Sequence, residues 1–248
     1  MLPERFKTAL KNLFPKQFIR YSLWRSGYAE AELSYLSRVV PRDRISVDVG
    51  ANVGVYTRAL SKLTPVVHAF EPSKELARLL RRTVPSNVVV HEIALSCRGG
   101  TASLKTPVVD GKRIFGLASL EQLTSHPRLD TEIVQTSKLD DAVDGDVGFI
   151  KIDVEGHELS VLRGARSIIS RNRPVLLVEC EERHNPGGPA KLFEFMNELN
   201  YSGRFISKGK ICDVTDFSVG TSQDSKAPYI YNFFFLPDKR SLSFLEQE

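Results

Sequence analysis

Along the 248-residue chain the apolar positions change period in a regular way. Ile45, Val47 and Val49 read as a buried strand, and Val53, Tyr56, Leu60 and Leu63 then recur at the spacing of one helix face. The switch repeats. Residues 66–71 read as a second strand, 73–83 as a helix with Leu76, Leu79, Leu80 and Val84 on its apolar side, and 88–93 as a third strand. After an interruption, 147–153 reads as a strand, followed by a helix carrying Leu159, Leu162, Ala165 and Ile169. The run PVLLVEC at 174–180 is apolar almost throughout, as expected of a strand covered on both faces. Phe193, Met196 and Leu199 mark a further helix, and 201–207 and 229–236 supply two last strands separated by polar loop sequence at 208–228. Strands alternating with helices imply an α/β, doubly wound, mostly parallel sheet, here of seven strands.

The interruption, about residues 99–137, has its own pattern. TASLKT at 101–106 and TEIVQTS at 131–137 alternate like the two arms of a hairpin. Pro107, Asp110, Gly111, Gly116, Ser119 and Pro127 between them read as a long loop, and loops of this length inside a compact domain usually act as lids or binding loops. Residues 1–44 form a separate N-terminal helical segment, which leaves 45–248 as the sheet-bearing domain. Leu2, Phe6, Leu10, Leu13, Phe14 and Phe18 give the segment an apolar stripe broken by Pro15, and it holds nine Lys and Arg against four Asp and Glu. A basic amphipathic stretch of this kind packs on the body or on a partner subunit, or rests on an anionic membrane surface, with residues 1–27 making the contact.

Composition narrows the class. Apolar residues at 42% and charged residues at 26% are those of a globular domain with a sizeable core. The net charge of +4 is too small to argue for nucleic acid, and no base-clamping motif of the N-P-P-Y type occurs, so no nucleic-acid partner is expected. No run approaches the roughly 20 apolar residues of a membrane span, and the first apolar residues are interleaved with Lys and Arg, unlike a signal peptide. Cys97, Cys180 and Cys212 are odd in number and widely spaced, which fits reduced thiols in a cytoplasmic protein and not a zinc site.

Chemistry enters at Asp48, where the first strand meets the turn that holds Gly50, Asn52 and Gly54. The pattern D-x-G-x-x-x-G differs from the G-x-G-x-x-G of dinucleotide binders, whose first glycine is here Asp48. A carboxylate there repels a pyrophosphate but suits a cationic ligand. S-adenosylmethionine, with a sulfonium, an ammonium and no phosphate, fits. Glu71 ends the second strand, where an acidic side chain reaches the ribose hydroxyls of a nucleotide bound to a doubly wound sheet.

DVGANVG at 48–54, AFEP at 69–72, IALS at 93–96 and KIDVEGHELSVLRGA at 151–165 resemble, in order and spacing, the FkbM family of S-adenosylmethionine-dependent methyltransferases. The last string is the most family-specific. The resemblance implies a Rossmann-like class I methyltransferase sheet and methyl transfer to oxygen on sugar or polyketide-type hydroxyls, hence a small-molecule or carbohydrate acceptor. It also implies cofactor contacts from Asp48, Gly50, Asn52, Gly54, Glu71 and Asp153, with Ala94, inside the stretch Glu92–Ser96, beside the adenine. The family often carries a histidine two residues after the glutamate that ends the strand at 174–180; here Glu181 stands there, with His184 nearby. A nicotinamide-dependent oxidoreductase and a non-catalytic nucleotide-binding protein of the same fold are the competing readings.

An alcohol acceptor is a weak nucleophile until its proton leaves, so a base or a metal is sought at the strand ends. Histidine is the side-chain type whose ordinary pKa lies nearest neutrality, so His157 is the expected base, with Asp153 and Glu179 beside it. A magnesium or calcium ion held by Asp153, Glu155 and Glu179 is the alternative. Arg113, Phe115 and Ser119 of the insertion are candidates to meet the acceptor.

Overall fold

The computed structural model describes residues 31–122, 127–224 and 229–237. Its first element, α1 (Glu32–Val39), turns Leu36 and Val39 inward against the sheet, so this part of the N-terminal segment shares the core with the domain behind it. Residues 1–27, expected to make outside contacts, lie beyond the described residues.

The alternation resolves into β1 (Ile45–Val49), α2 (Val55–Leu60), β2 (Val67–Phe70), α3 (Lys74–Thr83) and β3 (Val88–His91), close to the positions expected. The insertion follows with β4 (Ala94–Leu95), β5 (Gly100–Val109), β6 (Lys112–Arg113) and β7 (Leu129–Ser137). Then come α4 (Leu139–Ala142), β8 (Val147–Ile152), α5 (Glu158–Gly164), α6 (Arg166–Asn172), β9 (Val175–Glu179) and α7 (Gly188–Glu198). The chain closes with β10 (Ser202–Ser207), β11 (Lys210–Asp213), α8 (Val219–Ser222) and β12 (Asn232–Leu236).

Eight strands form the main sheet, in the order β11-β10-β12-β9-β8-β1-β2-β3. β3, β2, β1, β8 and β9 run parallel, whereas β12, β10 and β11 pair antiparallel. The count of seven is therefore corrected by one. The additional strand comes from the polar loop at 208–228: Lys208 and Gly209 both take positive φ (49° and 74°), and Ser207 pairs with Lys210, so a two-residue turn folds β11 back onto β10. Positive φ at both central positions matches the right-handed twist of hairpin strands.

Period-two burial explains the two-sided core. Val47, Val49, Ile150, Ile152, Phe233 and Phe235 face α5, α6 and α7, while Phe149, Leu177, Phe234 and Leu236 meet α1 and α2 on the other face. The expected hairpin exists: β5 and β7 pair antiparallel from Gly100↔Thr136 to Pro107↔Leu129 within a second, four-stranded sheet. No helix among the described residues is long and apolar enough to cross a membrane.

Candidate active site

β1 leads through helices to β2 and β3 on one side, and β8 leads to β9 on the other. The sheet thus reverses winding between β1 and β8, the position where open α/β sheets leave a crevice at the carboxyl ends of their strands. The backbones of these two strand ends are in close contact. Gly50 has φ 79°, and a Cβ built on it would stand 1.7 Å from the Asp153 carbonyl oxygen. The Asp153 N–H donates to the Val49 carbonyl at 3.0 Å.

Glu71 closes the crevice from the β2 side. It is 6% exposed, and its carboxylate accepts from the Asn52 and Ser73 N–H groups, each at 2.8 Å. Burial raises its pKa to about 7 against the pull of those two donors. Each carboxylate oxygen has a second lone pair, so Glu71 can still accept from a ligand. Asp48 lies one layer deeper: it is 2% exposed and accepts from the Thr57 hydroxyl at 2.5 Å.

Two pockets open here. The first is lined by Asn52, Phe70, Glu71, Ala94, Leu95 and His157, and roofed by Phe115, Gly116, Ala118, Ser119 and Leu120 of the insertion. The loop between β5 and β7 therefore covers a pocket, as its length implied. His157 is part of the fastening: its Nδ1 lies 2.6 Å from Glu121 Oε1 and its Nε2 2.9 Å from Ser96 Oγ. Ser119 Oγ donates to the Glu155 carbonyl at 2.6 Å and provides a second tie. Both ring nitrogens of the expected base are thus engaged by the insertion and the end of β4. Asn cannot bridge Glu121 and Ser96, so in His157→Asn amide exchange across residues 115–121 is expected to rise at least about tenfold by mass spectrometry. Unchanged exchange would show that the roof holds without this tie.

The second pocket is wider, about 580 Å³, and lies over β8, β9 and the approach to β12. Asp48, Lys151, Asp153, Glu155, Glu179 and Glu181 line it together with Arg183, Tyr229 and Tyr231. Lys151, 1% exposed, stands 3.0 Å from Asn232 Oδ1, 3.7 Å from Glu179 Oε2 and 5.0 Å from the centre of the Tyr56 ring. Glu155 occupies the left-handed region at φ 52°, a conformation that a side-chain-bearing residue adopts at a cost and that is concentrated at functional sites. Its carboxylate lies 2.9 Å from His184 Nε2, which is also 3.4 Å from Glu181 Oε1.

Among the expected residues, Asp153, Glu155 and Glu179 come together: one oxygen of each lies within 4.8 Å of the others. A second such group is Glu155, Glu181 and His184. Both are geometrically able to hold a divalent cation. Arg113, one of the insertion candidates, pairs instead with Glu75 and Asp130 outside both pockets. Sequence reading missed Tyr229 and Tyr231, whose Y-x-Y spacing just before the final strand was the available signal.

Titration moves Glu71, Glu158 and His184 upward, whereas Glu181 moves down to about 2, the upward push of burial being outweighed by its hydrogen bonds with His184 and Arg183. The Glu155 and Glu181 carboxylates raise the His184 pKa to about 9, and Glu158, buried and accepting from the Gly156 N–H at 2.7 Å, is raised by burial to about 7. For Glu71, Glu158 and His184 alike the folded state binds protons more tightly than the unfolded chain. Their stabilisation is complete below the unfolded pKa, about 4.5 for the acids and 6.5 for the histidine, and is lost as pH rises through about 7 and about 9. For Glu71 alone the difference is about 3 kcal/mol. Glu71→Gln is thus expected to melt higher than the parent at pH 8 and near it at pH 5 in scanning calorimetry. Equal melting at pH 8 would contradict the burial argument.

The Methyltransferase FkbM domain model matches residues 48–202. Hexuronic acid methyltransferase AglP of Haloferax volcanii is 24% identical over 208 residues, 82% of this chain and 82% of that protein. The crystal structure of Methyltransferase FkbM from Methylobacillus flagellatus KT superposes with a TM-score of 0.52 at 18% identity, covering 79% of this chain and 45% of that one. This chain therefore spans less than half of that protein, and the likeness concerns the fold.

Proposed function

Because the chain belongs to the methyltransferase FkbM family, and is a methyltransferase on that ground, we propose that it moves a methyl group from S-adenosylmethionine to a hydroxyl oxygen of a carbohydrate. The observation that carries this reading is the junction of the two pockets: Gly50, Asn52, Gly116, Asp153 and Glu155 line both. A donor in the first and an acceptor in the second meet at these residues.

The first pocket suits the donor on its own chemistry. Glu71 offers unused acceptor lone pairs to a ribose diol, Ala94 and Leu95 leave a small apolar wall beside a flat base, and Asp48 stands where a phosphate-binding turn has its first glycine. When bound, S-adenosylmethionine supplies a methyl carbon activated by the neighbouring sulfonium. The chain's residues orient the acceptor and receive its proton. Two carboxylates lie at the junction. Glu155 is already engaged in an ion pair with His184 at 2.9 Å, so we assign the proton to Asp153 on the end of β8. Glu179 and Lys151 hold the floor of the acceptor pocket, and His157 positions the insertion over the donor. If a magnesium ion is used instead, Asp153, Glu155 and Glu179 are the residues that would hold it. The name of the Haloferax relative gives a hexuronic acid as its substrate; only the carbohydrate class is carried over here.

The test is calorimetric titration with S-adenosylhomocysteine. Ribose hydroxyls donating to Glu71 favour its charged form, so binding at pH 6.5 should release protons, visible as heats that change with buffer ionisation enthalpy. Glu71→Ala should weaken binding about 100-fold, the equivalent of two hydrogen bonds to a charged acceptor, and abolish the proton release. Preference for NADH over S-adenosylhomocysteine would defeat the proposal.

A further inference from the structure

We infer that the acceptor is an uncharged sugar or an amino sugar and not a uronic acid, a narrowing that rests on the methyl-transfer reading above. The wider pocket presents Asp48, Asp153, Glu155, Glu179 and Glu181 against Lys151 and Arg183. Carboxylates exceed cations even when His184 is counted with the latter. Both cations are already matched: the Arg183 guanidinium donates to Glu181 Oε1 at 2.7 Å, and Lys151 Nζ is 3.7 Å from Glu179 and 3.0 Å from Asn232. A uronate entering this pocket adds a negative charge beside others in a partly desolvated space, where like charges repel strongly. The exposed cation within its reach, Arg183, is one that it would have to share with Glu181, which brings two carboxylates onto one guanidinium.

The rest of the lining fits a neutral or cationic pyranose. The Tyr229 and Tyr231 rings, 6.1 Å apart and inclined at 38°, offer apolar surface to the C–H face of a sugar ring beside the Arg183 guanidinium, which lies 5.7 Å over Tyr229, while the carboxylates of the pocket accept from its hydroxyls. An ammonium on that ring would meet the carboxylates directly. At about 580 Å³ the pocket lies within the range of small-ligand sites and has room for one residue of a glycan or a free glycoside.

The experiment uses the full chain saturated with S-adenosylhomocysteine. Methyl glucoside, methyl glucosaminide and methyl glucuronide are titrated in parallel, once with a chelator and once with magnesium. The glucoside and glucosaminide are expected to bind at least about tenfold more tightly than the glucuronide in both conditions. Glu181→Gln removes a negative charge and frees Arg183, and should shift the ratio of glucuronide to glucoside affinity severalfold toward the glucuronide. Should that variant not fold, the comparison on the parent protein decides the matter alone. Equal or tighter binding of the glucuronide, with or without magnesium, overturns the inference, as does a failure of all three sugars to bind. Failure of the underlying methyl-transfer reading is seen separately, as absence of the first saturation with S-adenosylhomocysteine.

Discussion

Gly50→Ala is expected to melt roughly 10 °C or more below the parent and to lose measurable affinity for S-adenosylhomocysteine. The added Cβ would fall 1.7 Å from the Asp153 carbonyl oxygen and 2.9 Å from its carbon, so the obstacle is backbone and cannot rotate away. Alanine also disfavours the φ of 79° that the turn requires. To relieve both, β1 and β8 must part, which strains the central strand pair and the N–H···O bond from Asp153 to Val49. A cost of about 4 kcal/mol is a large share of the 5–15 kcal/mol that holds a domain together, and at this size it corresponds to about 8–16 °C. Gly220→Ala is the control, since a Cβ there meets nothing within 4 Å and its φ is not positive. Melting of Gly50→Ala within 2 °C of that control would show that the crevice is looser than described.

Asp153→Asn is expected to lower turnover by about 10²- to 10⁴-fold, the usual contribution of a positioned general base, while S-adenosylhomocysteine still binds. Asparagine preserves the shape and keeps an acceptor oxygen but cannot take a proton near neutral pH. Two results would move the assignment. Near-parental turnover in Asp153→Asn alongside a 10²-fold loss in His157→Asn would restore His157 as the base, in spite of its ties to Glu121 and Ser96. Activity abolished by a chelator and restored by magnesium would favour the ion held by Asp153, Glu155 and Glu179.

Much of this arrangement is legible along the chain. The bounds of β1, β2 and β9 fall within one residue of those expected, because the cause is local: a side chain's burial depends on whether its neighbours at i+2 or at i+3 and i+4 share its face. Gly50 stands out as a glycine in the turn that follows an apolar strand, and Glu71 as the acid that ends the next strand. Their positions in the fold follow from the winding of an alternating α/β chain. The uninterrupted apolar helix read after β8 proves to be two, Glu158–Gly164 and Arg166–Asn172. Gly164 packs so closely under Ser96 that a Cβ would come within 2.0 Å of the Ser96 carbonyl oxygen, a contact with no trace in periodicity.

What tertiary structure alone decided is which distant groups share a charge. His157 and Asp153 are four residues apart, and sequence placed them in one catalytic cluster; in space the imidazole turns to Glu121, 36 positions away, while Glu155 turns to His184. The pattern on one strand or helix states which face is apolar, but not which loop will be packed against its end. That depends on the order in which strands assemble, here β12 entering antiparallel between β9 and β10 and carrying Tyr229 and Tyr231 toward the carboxylates at the ends of β8 and β9. Sequence by itself therefore determined the parallel half of the sheet, the glycine turn and the acid beside it, because each follows from contacts a few residues apart. The partners of the titratable side chains, and with them the division into a roofed pocket and an acidic one, were decided by long-range packing, since Coulomb and hydrogen-bond energies depend on distance in space and not on separation along the chain.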